Sequence, residues 1–161
     1  MTLLSIVNDA AAEVGVPSAS AVIGNTDQTV TTLFRLANKE GKILAKRHGW
    51  QALLMEKTHT SLAAAAQTGM LAADLAFFVN DTFFNRTNHR RLTGPLSPEA
   101  WQAQQALTAS LLTDSFRVRG GVIYITPTPA AGDTYAYEYV SKYWCTTTGG
   151  TTPTKAAFSV D

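Results

Sequence analysis

Four basic residues on one predicted helix have the spacing of a binding surface. They follow one another at steps of four, three and four, as Arg35, Lys39, Lys42 and Lys46. At 3.6 residues per turn this spacing places the four cations in a narrow stripe on one helix face. Glu40 is the one acidic residue between Val30 and Glu56, so the stripe lacks the i,i+4 partners common on solvated helices. Two interpretations stay open: a solvated helix face, or a surface for an external anion such as a phosphate backbone or an acidic protein patch.

Tyrosines recur at alternate positions in the last predicted strand and shortly after it. They are Tyr135, Tyr137, Tyr139 and Tyr143, which we expect to point to one face of a sheet. Such a face could stack on bases or sugars, or form a subunit interface. Tyrosine suits both, because its ring is apolar while its hydroxyl can form hydrogen bonds with water or a partner. A sheet face covered by the neighbouring helix, whose buried side begins at Trp101, is the third interpretation. The sequence favours a core or a subunit interface, to which we assign Trp101 as well as the four tyrosines, over a ligand platform.

Motifs for catalysis or metal binding are missing from the sequence. The three histidines are far apart, at His48, His59 and His89. HExxH, GxSxG and GxxxxGK[ST] do not occur, and the carboxylates show no recurring spacing. Cys145 is the single cysteine, so we expect neither an internal disulfide nor a cysteine-based zinc site. We therefore expect a protein that is not an enzyme and that needs no cofactor.

Composition indicates a globular chain with an unusual surface. Its 161 residues suit one domain, or one small sheet with a helical annex, and such a chain can bury a core. Only 16% of them are charged, which is below the usual quarter and suggests that much of the surface faces other protein. A net charge of +1 argues against a globally basic nucleic-acid binder but permits a local stripe. Because neither a signal peptide nor an apolar bilayer-spanning stretch is evident, we expect synthesis in a cytoplasm and no membrane partner.

Two helices are predicted in the N-terminal third. From Thr2 to Gly15 apolar side chains recur at helical spacing. Thr26 or Asp27 can cap a longer helix that ends near His48. This second helix carries the basic stripe opposite an apolar face made of Val30, Leu33, Phe34, Ala37, Gly41 and Leu44.

The rest of the chain predicts a small antiparallel sheet that carries one helix. That helix spans residues 97–107, with Ser97 as its cap and Pro98 at its first position. Strands around the Gly120-Gly121 turn and after the 127–133 turn are predicted to form a three-stranded meander. We thus expect an α+β protein with a helical part at 1–50, a β-rich part at 51–145 and an extended tail at 146–161.

Four segments, in one order, resemble the head-to-tail adaptor (connector) proteins of short-tailed bacteriophages. They are TLLSIVNDAAAEVG, LANKEGKILAKRHGWQALL, RRLTGPLSPEAWQ and FRVRGGVIYITPTPAAGDTYAYEYVSKYW, and together they cover most of residues 2–144. None of them is a catalytic signature. The resemblance lies in the recurrence of all four in the same order.

This resemblance implies a structural protein of the virion. Such adaptors form a homo-oligomeric ring, typically of twelve copies, beneath the capsid portal and above the tail nozzle. The ring is assembled in the host cytoplasm, lies at the head-tail junction and surrounds the path of the packaged DNA. The implied partners are therefore the portal protein, the nozzle protein, copies of itself and, non-specifically, DNA.

The resemblance also implies two alternative roles for the basic stripe: the stripe would either line the DNA path or bind an acidic surface of the portal protein. In similar proteins the chain continues past the segment that corresponds to residues 155–161 into further helices. The resemblance therefore leaves two alternatives, further C-terminal helices beyond this sequence or a shorter helical bundle completed by neighbouring copies, and we expect the first. A hypothesis from another class is a nucleic-acid- or glycan-binding module that uses the tyrosine-rich face. An enzyme that acts on cell wall is a third.

Overall fold

The computed structural model describes residues 2–106, 113–146 and 152–159. The chain forms two compact units. We call the first, Met1–Leu53 with Lys142–Asp161, the helical unit, and the second, Leu54–Ser141, the sheet unit. The predicted position 107 of the third helix lies outside the described residues.

Both N-terminal helices begin and end where the sequence predicts. Helix α1 spans Leu3–Val14, with the Thr2 hydroxyl accepting a hydrogen bond of 3.2 Å from the Ser5 N–H. Gly15 ends it in the left-handed conformation, at a φ of 75° that glycine adopts without strain. Helix α2 spans Gln28–Arg47, and a short 3-10 turn, Gln51–Leu53, follows it.

The two helices pack together along only part of α2. Their shared core contains Leu3 and Val7 of α1, Val22 of the connecting loop and Val30 of α2. With 12 residues against 20, α1 is shorter than α2 by about 12 Å at 1.5 Å per residue. The predicted apolar face of α2 is therefore buried at Val30 but open toward its C-terminal end, where Leu44 is 48% exposed.

The C-terminal segment folds back within the helical unit instead of forming the expected extended tail. Cys145 and Lys155 form an antiparallel β-bridge, and the Phe158 N–H donates to Asn38 Oδ1 of α2 at 2.9 Å. The rings of Trp144 and Phe158 meet edge to face with centroids 4.9 Å apart. These two large apolar rings explain the difference, because their partial burial against a helix is favourable while full exposure along a free tail is not.

The sheet unit contains eight strands and one helix among the described residues. In chain order they are β1 Leu54–Thr60, β2 Ala66–Gln67, β3 Leu75–Phe78, β4 Phe84–Asn85, β5 Arg90–Arg91, α3 Pro98–Ala106, β6 Ser115–Arg119, β7 Val122–Thr126 and β8 Thr134–Ser141. One sheet has the order β1-β8-β4-β5, with β3 also paired to β8, and the other has the order β2-β7-β6. Every strand pair is antiparallel, so the predicted α+β class is confirmed.

The predicted meander is wrong in its third strand. The β6–β7 hairpin forms around Gly120-Gly121, but β8 pairs with β1 on one edge and with β3 and β4 on the other. Ala136 and Tyr137 point to opposite faces of β8 and are only 3% and 2% exposed. A strand that is apolar on both faces is stabilised at the centre of a sheet. The seven-residue 127–133 connection carries the chain from β7 in the three-stranded sheet to this central position.

Side chains from both sheets share one core. Its buried members are Met70, Ala72, Phe83, Leu92, Phe116, Ile123, Ile125, Tyr135, Tyr137 and Tyr139. Phe83 stands at its centre, with ring centroids 4.5 Å from Phe116 and 5.1 Å from Tyr137. Helix α3 begins as predicted, because the Ser97 hydroxyl accepts a 3.1 Å hydrogen bond from the Ala100 N–H, and its Trp101 is buried.

Candidate functional site

The basic stripe lies on the exposed side of α2. Asp27 starts this helix by accepting hydrogen bonds from the Thr29 and Val30 N–H groups at 2.7 and 3.2 Å, which sets the phase of every later position. All four cations are exposed: Arg35, Lys39, Lys42 and Lys46. In the described part of the chain the salt bridges are Arg86–Glu56 and Arg91–Asp81, both in the sheet unit. The stripe therefore has no carboxylate partner there.

Two exposed apolar side chains lie beside the stripe, and the sequence prediction missed them. Leu36 is 49% exposed and Ile43 is 38% exposed. At about 100° per residue, these two and the four cations fall within an arc of about 120° on the helix. We call the six side chains together the outer face of α2: Arg35, Leu36, Lys39, Lys42, Ile43 and Lys46. The seven-residue spacing of Leu36 and Ile43 was the available signal, since it places them on one side of the helix.

The opposite side of α2 carries an apolar groove. Its volume is about 410 Å³, and its lining includes Ala37, Gly41, Leu44, Trp50, Trp144 and Phe158. The Trp50 indole N–H donates to the Leu44 carbonyl at 2.9 Å, which fixes this ring at the end of the helix. The chain's own C-terminal segment thus supplies part of the groove wall.

The three tyrosines of β8 lie in the core of the sheet unit and not at its surface. Tyr135, Tyr137 and Tyr139 are 2%, 2% and 7% exposed. The Tyr137 hydroxyl donates to the Met70 carbonyl and accepts from the Ala72 N–H, both at 2.9 Å. Burial raises the pKa of Tyr135 and of Tyr137 to about 12. Because both the rings and the hydroxyls are engaged, these side chains present no interface or ligand platform.

The fourth tyrosine is not part of that face. Strand β8 ends at Ser141, and Tyr143 belongs to the helical unit, where the Lys142 ammonium lies 5.8 Å from the centroid of its ring. Trp101, the other residue assigned to a subunit interface, packs inside the sheet unit edge to face with Tyr124. Alternation along a strand identified the shared side of Tyr135, Tyr137 and Tyr139 correctly, but not what covers it.

A polar cleft of about 710 Å³ opens on the sheet unit. Glu56 of β1 and Glu138 of β8 are direct cross-strand neighbours in it. The Arg86 guanidinium bonds Glu56 at 2.8 Å, which offsets the repulsion between the two carboxylates. Within residues 2–106, 113–146 and 152–159, no three His, Cys, Asp or Glu side chains are grouped so as to hold a metal ion.

The single cysteine is buried in the helical unit, and burial raises the pKa of the Cys145 thiol to about 11. At neutral pH it is therefore a protonated apolar side chain, not a nucleophile. None of the helices in the described ranges has the length and apolar character needed to cross a membrane.

Comparison with protein-family models, with curated proteins and with solved structures finds no significant match to this chain.

Proposed function

We propose that this chain is a structural virion protein whose copies form a ring-shaped adaptor between the capsid portal and the tail of a short-tailed bacteriophage. In this role it surrounds the DNA channel at the head-tail junction and performs no catalysis. Its partners are the portal protein, the tail nozzle protein, the neighbouring copies of itself and, non-specifically, the packaged DNA. The basis for the family is the order of the four sequence segments that resemble such adaptors.

The observation that carries the proposal is the exposed basic stripe on α2, which has no carboxylate partner among the described residues. Arg35 and Lys39, like Lys42 and Lys46, are like charges at i,i+4, which destabilise a helix by about 0.2–0.5 kcal/mol per pair. An anionic partner would reverse this cost. A helix that keeps such a face exposed in the isolated chain is therefore suited to assembly with another macromolecule.

A nucleic-acid- or glycan-binding module that uses the tyrosine face is not favoured. Stacking on bases or sugars needs an exposed aromatic ring. Tyr135, Tyr137 and Tyr139 are all less than 10% exposed, so their rings cannot be reached without opening the core.

Negative-stain electron microscopy of the purified protein mixed with the portal protein of the same phage tests the adaptor role. We expect a ring of additional density at the narrow end of the portal, and native mass spectrometry would then give the number of copies. A chain that stays monomeric and leaves the portal unchanged would show that the proposed function is wrong.

A further inference from the structure

We propose that the outer face of α2 docks an acidic amphipathic helix of the portal protein, and that it does not bind the DNA backbone. The inference rests on the proposed function, because it specifies the chemistry of the portal contact. It decides between the two uses of the stripe that the sequence leaves open.

The apolar part of the outer face favours protein over DNA. Leu36 and Ile43 are 49% and 38% exposed, and seven residues place them on one side of α2 about 10 Å apart. Contacts to a phosphate backbone are made by cations and hydrogen-bond donors, and they leave such side chains in water. A helix with its own apolar side would bury both, which is the main driving force of protein association.

The spacing of these residues suits a helical partner. The seam between two packed helices uses two positions in every seven residues, and the positions beside the seam carry the charges that select the partner. Leu36 and Ile43 occupy such positions, and Arg35 and Lys42 precede each of them by one residue. Lys39 and Lys46 follow them by three residues each, so the four cations lie along one side of the apolar pair on the helix.

The charge of the face specifies the partner further. Four cations lie on the outer face of α2, while Glu40 is the one carboxylate within the helix. No salt bridge of the described residues involves this helix. A complementary helix must therefore carry carboxylates beside its apolar residues, since like charges across the contact would oppose binding. A neutral or basic helix would leave the stripe unpaired.

Synthetic peptides test this chemistry directly on the full chain. One helical peptide has Leu at its seam positions and Glu at the flanking positions, its counterpart has Lys in place of Glu, and a duplex DNA is the third probe. We expect the chain to bind the Leu/Glu peptide more tightly than the other two probes. Leu36→Ala with Ile43→Ala should weaken peptide binding at least about tenfold. Val14→Ala, which trims an exposed side chain on α1, should not.

Charge variants complete the test. Lys39→Glu with Lys42→Glu should abolish binding of the Leu/Glu peptide, whereas Lys39→Arg with Lys42→Arg should keep it and its salt dependence. Circular dichroism confirms that each variant keeps its helices. Tighter binding of duplex DNA than of the acidic peptide, or full peptide binding by the Leu36/Ile43 double variant, would overturn the inference.

Mixing the same variants with the portal protein separates the two proposals. Loss of portal binding by the Leu36/Ile43 and charge-reversal variants, with binding kept by Val14→Ala, supports both. If all variants bind the portal as the unchanged chain does, the adaptor role stands and the docking surface lies elsewhere. If the acidic peptide binds but the portal does not, the adaptor role and the portal as partner are wrong, while the chemistry of the face stands.

Discussion

The indole ring of Trp144 lies against the backbone of Gly41 in the middle of α2. A Cβ atom added to Gly41 would come within 2.7 Å of Trp144 Cζ2 and closer still to two other atoms of the ring. Glycine inside a helix costs about 1 kcal/mol relative to alanine. The contact explains why a glycine stands here, because it lets the ring approach the helix and holds the C-terminal segment in place.

Replacing Gly41 with alanine should displace Trp144 and release residues 152–159 from α2, although alanine favours the helix itself. Hydrogen-deuterium exchange would report faster exchange of the Phe158 N–H, which now donates to Asn38. Gly49→Ala is the matched control, since nothing lies within 4 Å of a Cβ at that position. Unchanged exchange in the Gly41 variant would mean that the ring relaxes without leaving the helix.

Replacing Tyr137 with phenylalanine should destabilise the sheet unit by about 1–3 kcal/mol, because it leaves the Met70 carbonyl and the Ala72 N–H buried without their partner. Urea unfolding should show a lower midpoint at an unchanged slope. Tyr124→Phe should have little effect, since among the described residues its hydroxyl makes no hydrogen bond and its ring packing against Trp101 is kept. Equal midpoints for both variants would contradict the role given to the Tyr137 hydroxyl.

The cap of α2 should make the helical unit sensitive to acid. Hydrogen bonds from the Val30 and Thr29 N–H groups lower the pKa of Asp27 below its ordinary value of 3.8. A carboxyl with a lowered folded-state pKa stabilises the fold above its unfolded pKa, and this contribution is lost as pH falls through the folded value. We therefore expect the midpoint of thermal unfolding, followed by circular dichroism, to fall more between about pH 5 and pH 2 in the unchanged chain than in Asp27→Asn.

The asparagine variant is a sharp control because Asn caps helices about as well as Asp but does not titrate. Asp27→Ala, which removes the cap, should instead be less stable at every pH. An identical acid profile for the unchanged chain and Asp27→Asn would show that the carboxylate form adds nothing.

His59 should make the sheet unit less stable in mild acid. Burial, and then the charge of Lys57, lowers the pKa of His59 below 6.5, and its Nε2 is buried without a hydrogen-bond partner among the described residues. Below pH 6.5 the unfolded chain therefore binds more protons than the folded one, so stability falls as pH drops toward the folded pKa. As the pH is lowered from about 7 to about 5, the denaturant midpoint should fall less in His59→Gln than in the unchanged chain. Parallel profiles would refute this account.

Much of the candidate site could be predicted from the sequence. The stripe follows from the helical period once Asp27 starts the helix, and the structure leaves all four cations exposed. The spacing of Leu36 and Ile43 places them beside the stripe, but their exposure depends on what α1 and the loops cover, which the sequence does not show. The hydrogen bonding of Tyr137 within the core could not be predicted either, since its partners Met70 and Ala72 lie 67 and 65 residues away in the sequence.

By itself the sequence determined the features that depend on near neighbours along the chain. Thr2 and Asp27 cap helices through bonds that span two or three residues, and Gly120-Gly121 closes a hairpin between adjacent strands. Only the tertiary structure decided that β8 joins β1, β3 and β4, that its tyrosines become core, and that Trp144 and Phe158 return to α2. The physical reason is that the hydrophobic effect is not directional. The sequence therefore indicates which side chains are apolar enough to be buried, while only the packed fold decides which residues bury them.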